Sequence, residues 1–463
     1  MTPIDRRFVL GLRALADATR PVHPVTAAAA AERWERLPGT AKTSAQLLGR
    51  RTPGCEGTHG VFPRCNLACT PCYHAQAAQR VRTDGEHTVR EVERQMTYLQ
   101  SRRGPGQHAQ LIGGEVSLLG PREHARALSA MERHGRKPMS MSHGDFDYEY
   151  LESLAVDEDG RPRFRRLRFA GHFDSLMLGR RSAPRPRSEA ELDPERRRFV
   201  AMFERLRSEH GIRFDLAHNM TVTPRNLGQV SAVVSTCRDL EFGMLSFQPA
   251  AYVGNPSRWK EDFAEVTIDS VWSELERGMG TRLPWRHLQM GDTRCNRSAY
   301  GALVHEKWVP FLDDRDSRDL RVRDLFLEHF GPMDFDRPLP ATTVAVARVI
   351  ARRPALALIA IGWAARFVRR AGVRRLLGGH PRSLTLVVHA FMDADAVKPA
   401  WAAIRRGETA KEPRVRAAQE RLQACSYEMA HPDDDMLVPA CVQHSVLDPG
   451  ENVALERLLA VKR

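Results

Sequence analysis

The sequence predicts an α/β protein built around a partial or full (βα) barrel of the TIM type. Between Val61 and Pro256, short apolar runs alternate with segments of helical periodicity, the pattern of parallel strands joined by crossover helices. Its 463 residues, 42% apolar and 27% charged, have the composition of an ordinary globular protein with a sizeable core. The chemistry of such a barrel lies at the carboxyl ends of its strands.

Five apolar runs carry this prediction. The predicted strands are "AQLIGGE" ending near Glu115, "KPMSMSHG" near Gly144, "LRFAGHFDS" near Ser175, "IRFDLAHNMTV" near Val222 and "FGMLSFQPA" near Ala250. Helical stretches such as "TVREVERQMTYLQSR" and "NLGQVSAVVSTCRDL" separate them. Residues 1–50 read as two short helices, so the barrel begins after them.

We divide the chain into four regions. These are an N-terminal helical extension (1–57), the barrel (58–260), a connecting or substrate region with Cys295 (261–340), and amphipathic helices with a C-terminal cysteine region (341–463). A basic, proline-containing insertion between Gly179 and Arg198 interrupts the repeat. We interpret it as a loop or lid.

Charge and hydropathy narrow the classes of partner. The net charge is +13, but its basic residues have no interleaved aromatics of the kind that bind single strands, so we predict no nucleic-acid partner. A solvated face is the first interpretation and anionic lipid the second. With neither a secretory signal nor a run long enough to span a bilayer, we expect a cytoplasmic protein, with peripheral membrane contact as an option.

The most informative segment is "FPRCNLACTPCYH", with Cys65, Cys69 and Cys72. In a reducing compartment these thiols are free to bind metal. Cubane iron–sulfur clusters normally take four thiolates, so a local set of three leaves one iron open to another ligand. A structural zinc knuckle is the alternative, but it needs a further ligand and His74 is a poor one.

The run "CNLACTPCY" resembles the signature of the radical S-adenosylmethionine (SAM) superfamily, with Tyr73 as its aromatic residue. That family's Gly-Gly-Glu, at the end of the next strand, is matched by Gly113, Gly114 and Glu115. The resemblance implies a [4Fe–4S] cluster whose open iron binds SAM. One electron, from a flavodoxin- or ferredoxin-type reductant, would cleave SAM to a 5′-deoxyadenosyl radical that abstracts hydrogen from an unactivated C–H bond. Glu115 would accept a hydrogen bond from the SAM ammonium.

The same resemblance extends to later strands. In that family's strand numbering, His143 lies in the turn after the third strand, His172 and Asp174 lie at the fourth, and Asn219 lies in the fifth. These are further candidate SAM-binding residues. They could equally cap loops or be polar groups satisfied within the fold.

Five cysteines lie outside this motif. Cys237 reads as a small core residue on a helix. Four more lie in loop-like settings: Cys55, Cys295, Cys425 and Cys441. Four thiolates complete a cubane, so we predict an auxiliary [4Fe–4S] cluster. Zinc or a single iron would use the same ligands, and four unrelated buried thiols are the alternative.

The C-terminal half loosely resembles the tetraether lipid synthase group of radical enzymes. The likeness rests on "TRCNRSAYG", "VVHAFMDADAVK" and "CSYEMAHPDDDMLVPACVQHS", and it implies a hydrophobic substrate, with lipid as a candidate. Extra N-terminal cysteines expected in that group are missing. The apolar stretch at 342–377 is edged by arginines and broken into two helices at Pro354. We interpret it first as a pair of core helices and second as an interfacial helix on anionic lipid.

Two other functions stay open. A radical SAM enzyme with an auxiliary cluster could instead modify a peptide or small molecule. An iron–sulfur electron carrier or sensor would not cleave SAM at all. Tyr148, Tyr150, Tyr252 and Tyr300 are candidates for a second radical relay.

Overall fold

The computed structural model describes residues 20–72, 76–254, 256, 259, 262–379 and 381–461. Tyr73 and His74, both named above, lie outside the described residues. None of the helices in this part of the chain combines the length and apolar character that crossing a membrane requires.

Thirteen strands form one large sheet and one small ribbon. In chain order they are β1 (Cys55–Gly57), β2 (Ala68–Cys69), β3 (His108–Leu111), β4 (Lys137–Ser142), β5 (Arg166–His172), β6 (Met177–Leu178), β7 (Arg213–Val222), β8 (Met244–Pro249), β9 (Asn296–Val304), β10 (Lys307–Pro310), β11 (Arg382–His389), β12 (Tyr427–His431) and β13 (Met436–Pro439). Eleven of them make a mixed sheet in the order β10-β9-β11-β8-β7-β5-β4-β3-β1-β12-β13, and β2 pairs with β6.

The eight central strands of the sheet, from β11 to β12, are all parallel. Their spatial order follows the chain, and the last strand, β12, lies beside the first, β1. This is the strand order of a (βα)8 barrel. Within the described residues β11 and β12 do not pair, so the barrel is partial. We call the gap between β11 and β12 the seam.

Helices precede, connect and follow the strands of the sheet. They are α1 (Pro24–Arg36), α2 (Gly85–Arg103), α3 (Pro121–Arg133), α4 (Tyr148–Ala155), α5 (Asp193–His210), α6 (Val230–Arg238), α7 (Ile268–Met279), α8 (Ser317–His329), α9 (Leu339–Arg352), α10 (Ala355–Ala371), α11 (Val373–Gly378), α12 (Ala394–Arg406), α13 (Pro413–Gln423), α14 (Ala440–Val442) and α15 (Asp448–Leu458). The main apolar core lies between these helices and the sheet, with a phenylalanine cluster that includes Phe169, Phe199 and Phe203.

The α/β class and all five predicted strands are confirmed. The first ends at Leu111 rather than near Glu115, because Glu115 caps a short 3-10 turn over Val116–Leu118. The sequence analysis did not predict β1 and β9–β13. β1 has only three residues, and β9, β10 and β13 are antiparallel additions outside the βα repeat. The large sheet therefore runs across the predicted boundary near residue 260.

Two details of the helical prediction have different outcomes. The prediction that the whole insertion from Gly179 to Arg198 is a loop is wrong, because α5 already begins at Asp193 with a proline in its first turn. The predicted break at Pro354 is confirmed, since α9 ends at Arg352 and α10 begins at Ala355.

A buried network of opposite charges fixes β12 against β1. Arg136 donates to both oxygens of Glu56, at 2.9 and 3.2 Å. Arg33 lies 3.3 Å from Glu428, and Arg103 donates to Glu428 as well. Burial alone would raise the pKa of Glu428, but Arg33 and Arg103 hold it below its usual value. The charges of β1 and β12 are thus balanced by arginines from α1, from α2 and from the turn before β4.

We expect Glu428→Gln to destabilise the protein by about 3 kcal/mol, because it leaves the buried guanidinium of Arg33 without a charged partner. Urea unfolding measures the change. The matched control is Glu86→Gln, which removes an exposed ion pair with Arg126 and should leave the unfolding curve nearly unchanged. Equal effects of the two substitutions would contradict a structural role of the buried network.

Candidate functional site

The three motif cysteines lie in the loop that follows β1. This loop (58–72) contains β2, whose pairing with β6 places Cys69 opposite Met177. Cys65, Cys69 and Cys72 are half-buried and line one large cavity. Burial raises the pKa of Cys65 to about 12, and the neighbouring Cys72 contributes in the same direction. Cys65 and Cys72 likewise raise the pKa of Cys69, after burial.

The backbone of Gly113 and Gly114 packs directly on this loop. Gly114 N donates to Phe62 O at 2.8 Å, and Glu115 N donates to Arg64 O at 2.9 Å. A Cβ atom at Gly114 would lie 2.0 Å from Arg64 O and 2.3 Å from Pro63 O. No side chain fits there, so this contact requires glycine.

Glu115 is buried and faces the next strand. Its carboxylate accepts hydrogen bonds from Ser117 N (2.9 Å), Ser142 Oγ (2.7 Å) and His143 N (2.8 Å). Burial raises the pKa of Glu115, but His143 and these hydrogen bonds outweigh it and hold the pKa below its usual value. A carboxylate offers about four acceptor positions; three accept these bonds, and His143 Nε2 lies 3.4 Å from Glu115 Oε2.

His143 ties β4 back to the cysteine loop. Its Nδ1 accepts from Asp145 N at 3.0 Å, and its Nε2 lies 2.8 Å from Asn66 Oδ1. This network assigns a neutral ring with the proton on Nε2, donated to Asn66. Burial lowers the pKa of His143 and favours the same neutral form. Asn66, which the sequence analysis did not single out, therefore belongs to the site.

His172 and Asp174 lie together at the end of β5. His172 Nε2 is 2.6 Å from Asp174 Oδ2, and Thr221 N donates to the same oxygen at 3.1 Å. Burial raises the pKa of Asp174, but His172 and the hydrogen bonds lower it below its usual value. Asn219 is the neighbour of His172 on β7. All three side chains named in the sequence analysis line the cavity.

Arg180 is a site residue that the sequence analysis missed. Its side chain is fully buried; Nη2 donates to His172 O, and the guanidinium lies over Phe173. Nε and Nη1 have no hydrogen-bond partner among the described residues. The Arg180 charge is close enough to lower the pKa of Cys65 and Cys69, against the larger effect of burial.

Three of the other cysteines flank the seam: Cys295 precedes β9, Cys425 precedes β12 and Cys441 follows β13. Burial raises the pKa of Cys441, and Cys425 and Cys295 add to the shift. Burial also raises the pKa of Cys425 to about 12, with Cys295 contributing. Arg421 Nε lies 3.0 Å from Cys295 Sγ. Cys55 is at the start of β1, opposite Tyr427. Cys237 is buried on α6, as predicted.

The cavity has a volume of about 1460 Å³ and runs through the barrel. It reaches from the cysteine loop, past Met139 and Ala217, to the inner faces of α9 and α10. Of the four tyrosines considered as relays, Tyr300 alone lines it. The phenol groups of the others donate to or contact Glu209, His124 and Asp262, respectively.

Comparisons with known proteins add little to this geometry. No protein-family model and no curated protein matches the chain. Similar solved structures include "Native anSMEcpe with bound AdoMet" and the same protein with AdoMet and a Cp18Cys peptide, each at 14% identity and a TM-score of 0.32. The matches cover 48% of this chain and 57% of theirs. A hexahistidine-tagged form of that protein has 12% identity and the same TM-score. Scores this low carry no argument, so the function is inferred from the site.

We expect Gly114→Ala to disturb the cysteine loop while leaving the rest of the barrel folded, because the new methyl group overlaps the backbone of Pro63 and Arg64. The iron bound per chain after anaerobic reconstitution should fall by about four, one cubane. Gly228→Ala is the control, since a Cβ there meets nothing within 4 Å. Full iron loading of the Gly114 variant would show that the close contact does not position the thiols.

Proposed function

We propose that this protein is a radical SAM enzyme that acts on an unactivated C–H bond of a hydrophobic substrate, with lipid as the leading class. The observation that supports this most directly is the contact between the Gly113–Glu115 segment and the three-cysteine loop. Sequence motif and packing agree at the carboxyl ends of the parallel strands, where a barrel places its chemistry.

The residues present fit a [4Fe–4S] cluster at Cys65, Cys69 and Cys72. The three thiols line one cavity, and a cubane held by three thiolates leaves a fourth ligand position for a bound molecule. Nε and Nη1 of the buried Arg180 have no hydrogen-bond partner among the described residues, although Asp174 already acts as its principal opposite charge. Thiolates bound to a cluster would add negative charge beside the same guanidinium.

When bound, the cluster and SAM supply one-electron cleavage of the sulfonium and a carbon radical. The residues of this chain position the reactants. Glu115 offers its carboxylate to an ammonium donor, and Gly114 leaves backbone room beside it. His143 and Asn66 hold the loop. His172, Asp174 and Asn219 present polar groups to the same cavity and suit the hydroxyl groups of a ribose.

The cavity favours an enzyme with a large apolar substrate. Ligand pockets commonly measure about 300–1,000 Å³, and this one exceeds that range. Its lining away from the cysteine loop includes the apolar side chains of Ile350, Leu356 and Trp363 and also charged side chains such as Asp334. An electron carrier needs no such space, which places that alternative below an enzyme. Tyr300 is the side chain we propose as a relay, because it is half-buried and lines the cavity.

We further propose an auxiliary metal centre at the seam. Cys295, Cys425 and Cys441 flank it, and Cys55 is the candidate fourth ligand. Cys55 and Cys425 pack against one apolar cluster that includes Tyr427. A [4Fe–4S] cluster is the first candidate; zinc or a single iron would use the same thiolates.

Reduced, reconstituted protein should convert SAM to 5′-deoxyadenosine, and Cys69→Ala should abolish the reaction. Liquid chromatography of anaerobic reactions measures the product. Cys237→Ala is the matched control, because that thiol is buried in the helical core. If a loaded, reducible cluster gives no product even with cell-extract substrates, the electron-carrier function replaces the enzyme.

The same preparations test the auxiliary centre. Wild-type protein should hold about eight irons, and a Cys65/Cys69/Cys72→Ala variant about four. About four irons falling to none would leave the seam cysteines as structural thiols or zinc ligands.

Arg180→Gln should make the reduction potential of the cluster more negative. Loss of a nearby positive charge disfavours the added electron, and a shift on the order of 60 mV corresponds to about 1.4 kcal/mol. Potentiometric titration monitored by electron paramagnetic resonance measures it. Arg180→Lys should restore most of the potential. Arg181→Gln, at a largely exposed side chain, should leave it unchanged, and an unshifted Arg180→Gln would contradict the charge assignment.

A further inference from the structure

Helices α9, α10 and α11 expose large apolar side chains on one surface of the protein. Leu358 and Ile361 on α10 are 73% and 66% exposed, and Leu377 on α11 is 84% exposed. Leu339 and Val373 are exposed as well. We call the exposed side chains of residues 339–379 the α9–α11 surface. Most of the strongly exposed large apolar residues in the described part of the chain belong to it.

The α9–α11 surface is also positively charged. Residues 339–379 contain eight arginines and no Asp, Glu or Lys. Arg366 and Arg370 turn inward and pair with Asp319. The remaining six are exposed: Arg348, Arg352, Arg353, Arg369, Arg374 and Arg375. A solvated helix face normally carries charges of both signs, as α2 does with its glutamates and arginines. A surface of one sign mixed with leucine and isoleucine differs from that pattern.

The opposite faces of the same helices form the wall of the cavity. Val346 and Ile350 of α9, and Leu356, Ile359 and Trp363 of α10, line it. Trp363 Nε1 donates to Phe311 O at 2.7 Å and so holds α10 in place. Therefore one layer of helix separates the exposed apolar side chains from the interior of the barrel.

We propose that the α9–α11 surface binds an anionic membrane, with its apolar side chains in the interfacial layer and its arginines among the lipid headgroups. Apolar area and basic charge together are what interfacial helices use, and neither helix needs to span the bilayer. On the proposed function, the substrate would then enter the cavity through this wall. The exposed leucines also reverse the ranking in the sequence analysis, which placed a core helix pair first.

Nucleic acid and a second copy of the chain are the competing partners. Neither partner matches both properties of the surface. A nucleic acid would contact the arginines but not the exposed leucines. Two copies of the chain would place their positively charged arginines against each other. Both are therefore tested as alternatives.

The test is flotation of the full chain with phosphatidylcholine vesicles, with and without roughly one third phosphatidylglycerol. Wild-type protein should float with the anionic vesicles. Arg352→Glu/Arg353→Glu should weaken binding at least tenfold, since each basic residue at an anionic surface contributes about fivefold. Leu358→Glu/Ile361→Glu should weaken it to a similar extent, because the apolar insertion is lost.

Matched controls come from other surfaces. Leu458→Glu changes a leucine on α15 that is 65% exposed, and Arg185→Glu/Arg187→Glu makes the same charge change on the insertion. Both should bind as wild type does. Equal loss in the controls, or wild-type protein that stays with the soluble fraction, would overturn the proposal. Two further results would overturn the proposal. One is that the protein binds no vesicles but binds a DNA or RNA oligomer, and only Arg352→Glu/Arg353→Glu loses that binding. The other is that the protein forms a dimer that Leu358→Glu/Ile361→Glu abolishes.

The outcome is separable from the proposed function. All variants are assayed for 5′-deoxyadenosine formation from SAM, which needs no vesicles. If the protein forms 5′-deoxyadenosine but does not float with vesicles, only the membrane-binding proposal is rejected. If it floats but forms no 5′-deoxyadenosine, only the radical SAM activity is rejected.

Discussion

The candidate site depends on one close backbone contact, between Gly114 and the cysteine loop at Pro63 and Arg64. Because there is no Cβ at Gly114, the end of β3 can donate two backbone hydrogen bonds to the loop. The next residue, Glu115, then turns its carboxylate toward the end of β4, and His143, the residue after β4, donates a hydrogen bond to Asn66 in the loop. The loop, the end of β3 and the end of β4 thus all contact one another. These contacts position the loop that carries the three cysteines.

The seam is the second place where the fold determines chemistry. Eight parallel strands have the order of a closed barrel, yet the last two do not pair within the described residues. Residues from both sides fill the space instead, with Met392 after β11 and Cys441 after β13 in one apolar cluster. Buried arginines hold β12 to β1 from the other side. The open barrel thus leaves room at the seam for the proposed auxiliary centre, where two strands would otherwise pair.

Most of the barrel core could be predicted from sequence because its signals are local. The strands are followed closely by residues such as Glu115, His143 and Asp174, and parallel strands bring such residues to one edge. Arg180 could not be predicted, because it lies in a run of arginines that look equally solvated and only the fold buries it. The antiparallel strands β9 and β10 and the three-residue β1 lack the βα pattern, so the seam could not be predicted either.

Helix α10 shows why amphipathic patterns leave the partner open. A helix that is apolar on two faces fits a protein core and also fits a boundary between a core and lipid. The hydropathy of the helix is the same in a core and at a boundary with lipid, so the sequence alone could not distinguish these two environments. Exposure separates them here: Leu358 faces outward while Leu356 and Trp363 face the cavity. One helix therefore borders the cavity on one face and exposes leucine and isoleucine on the other, which is the arrangement that the proposed membrane-binding surface requires.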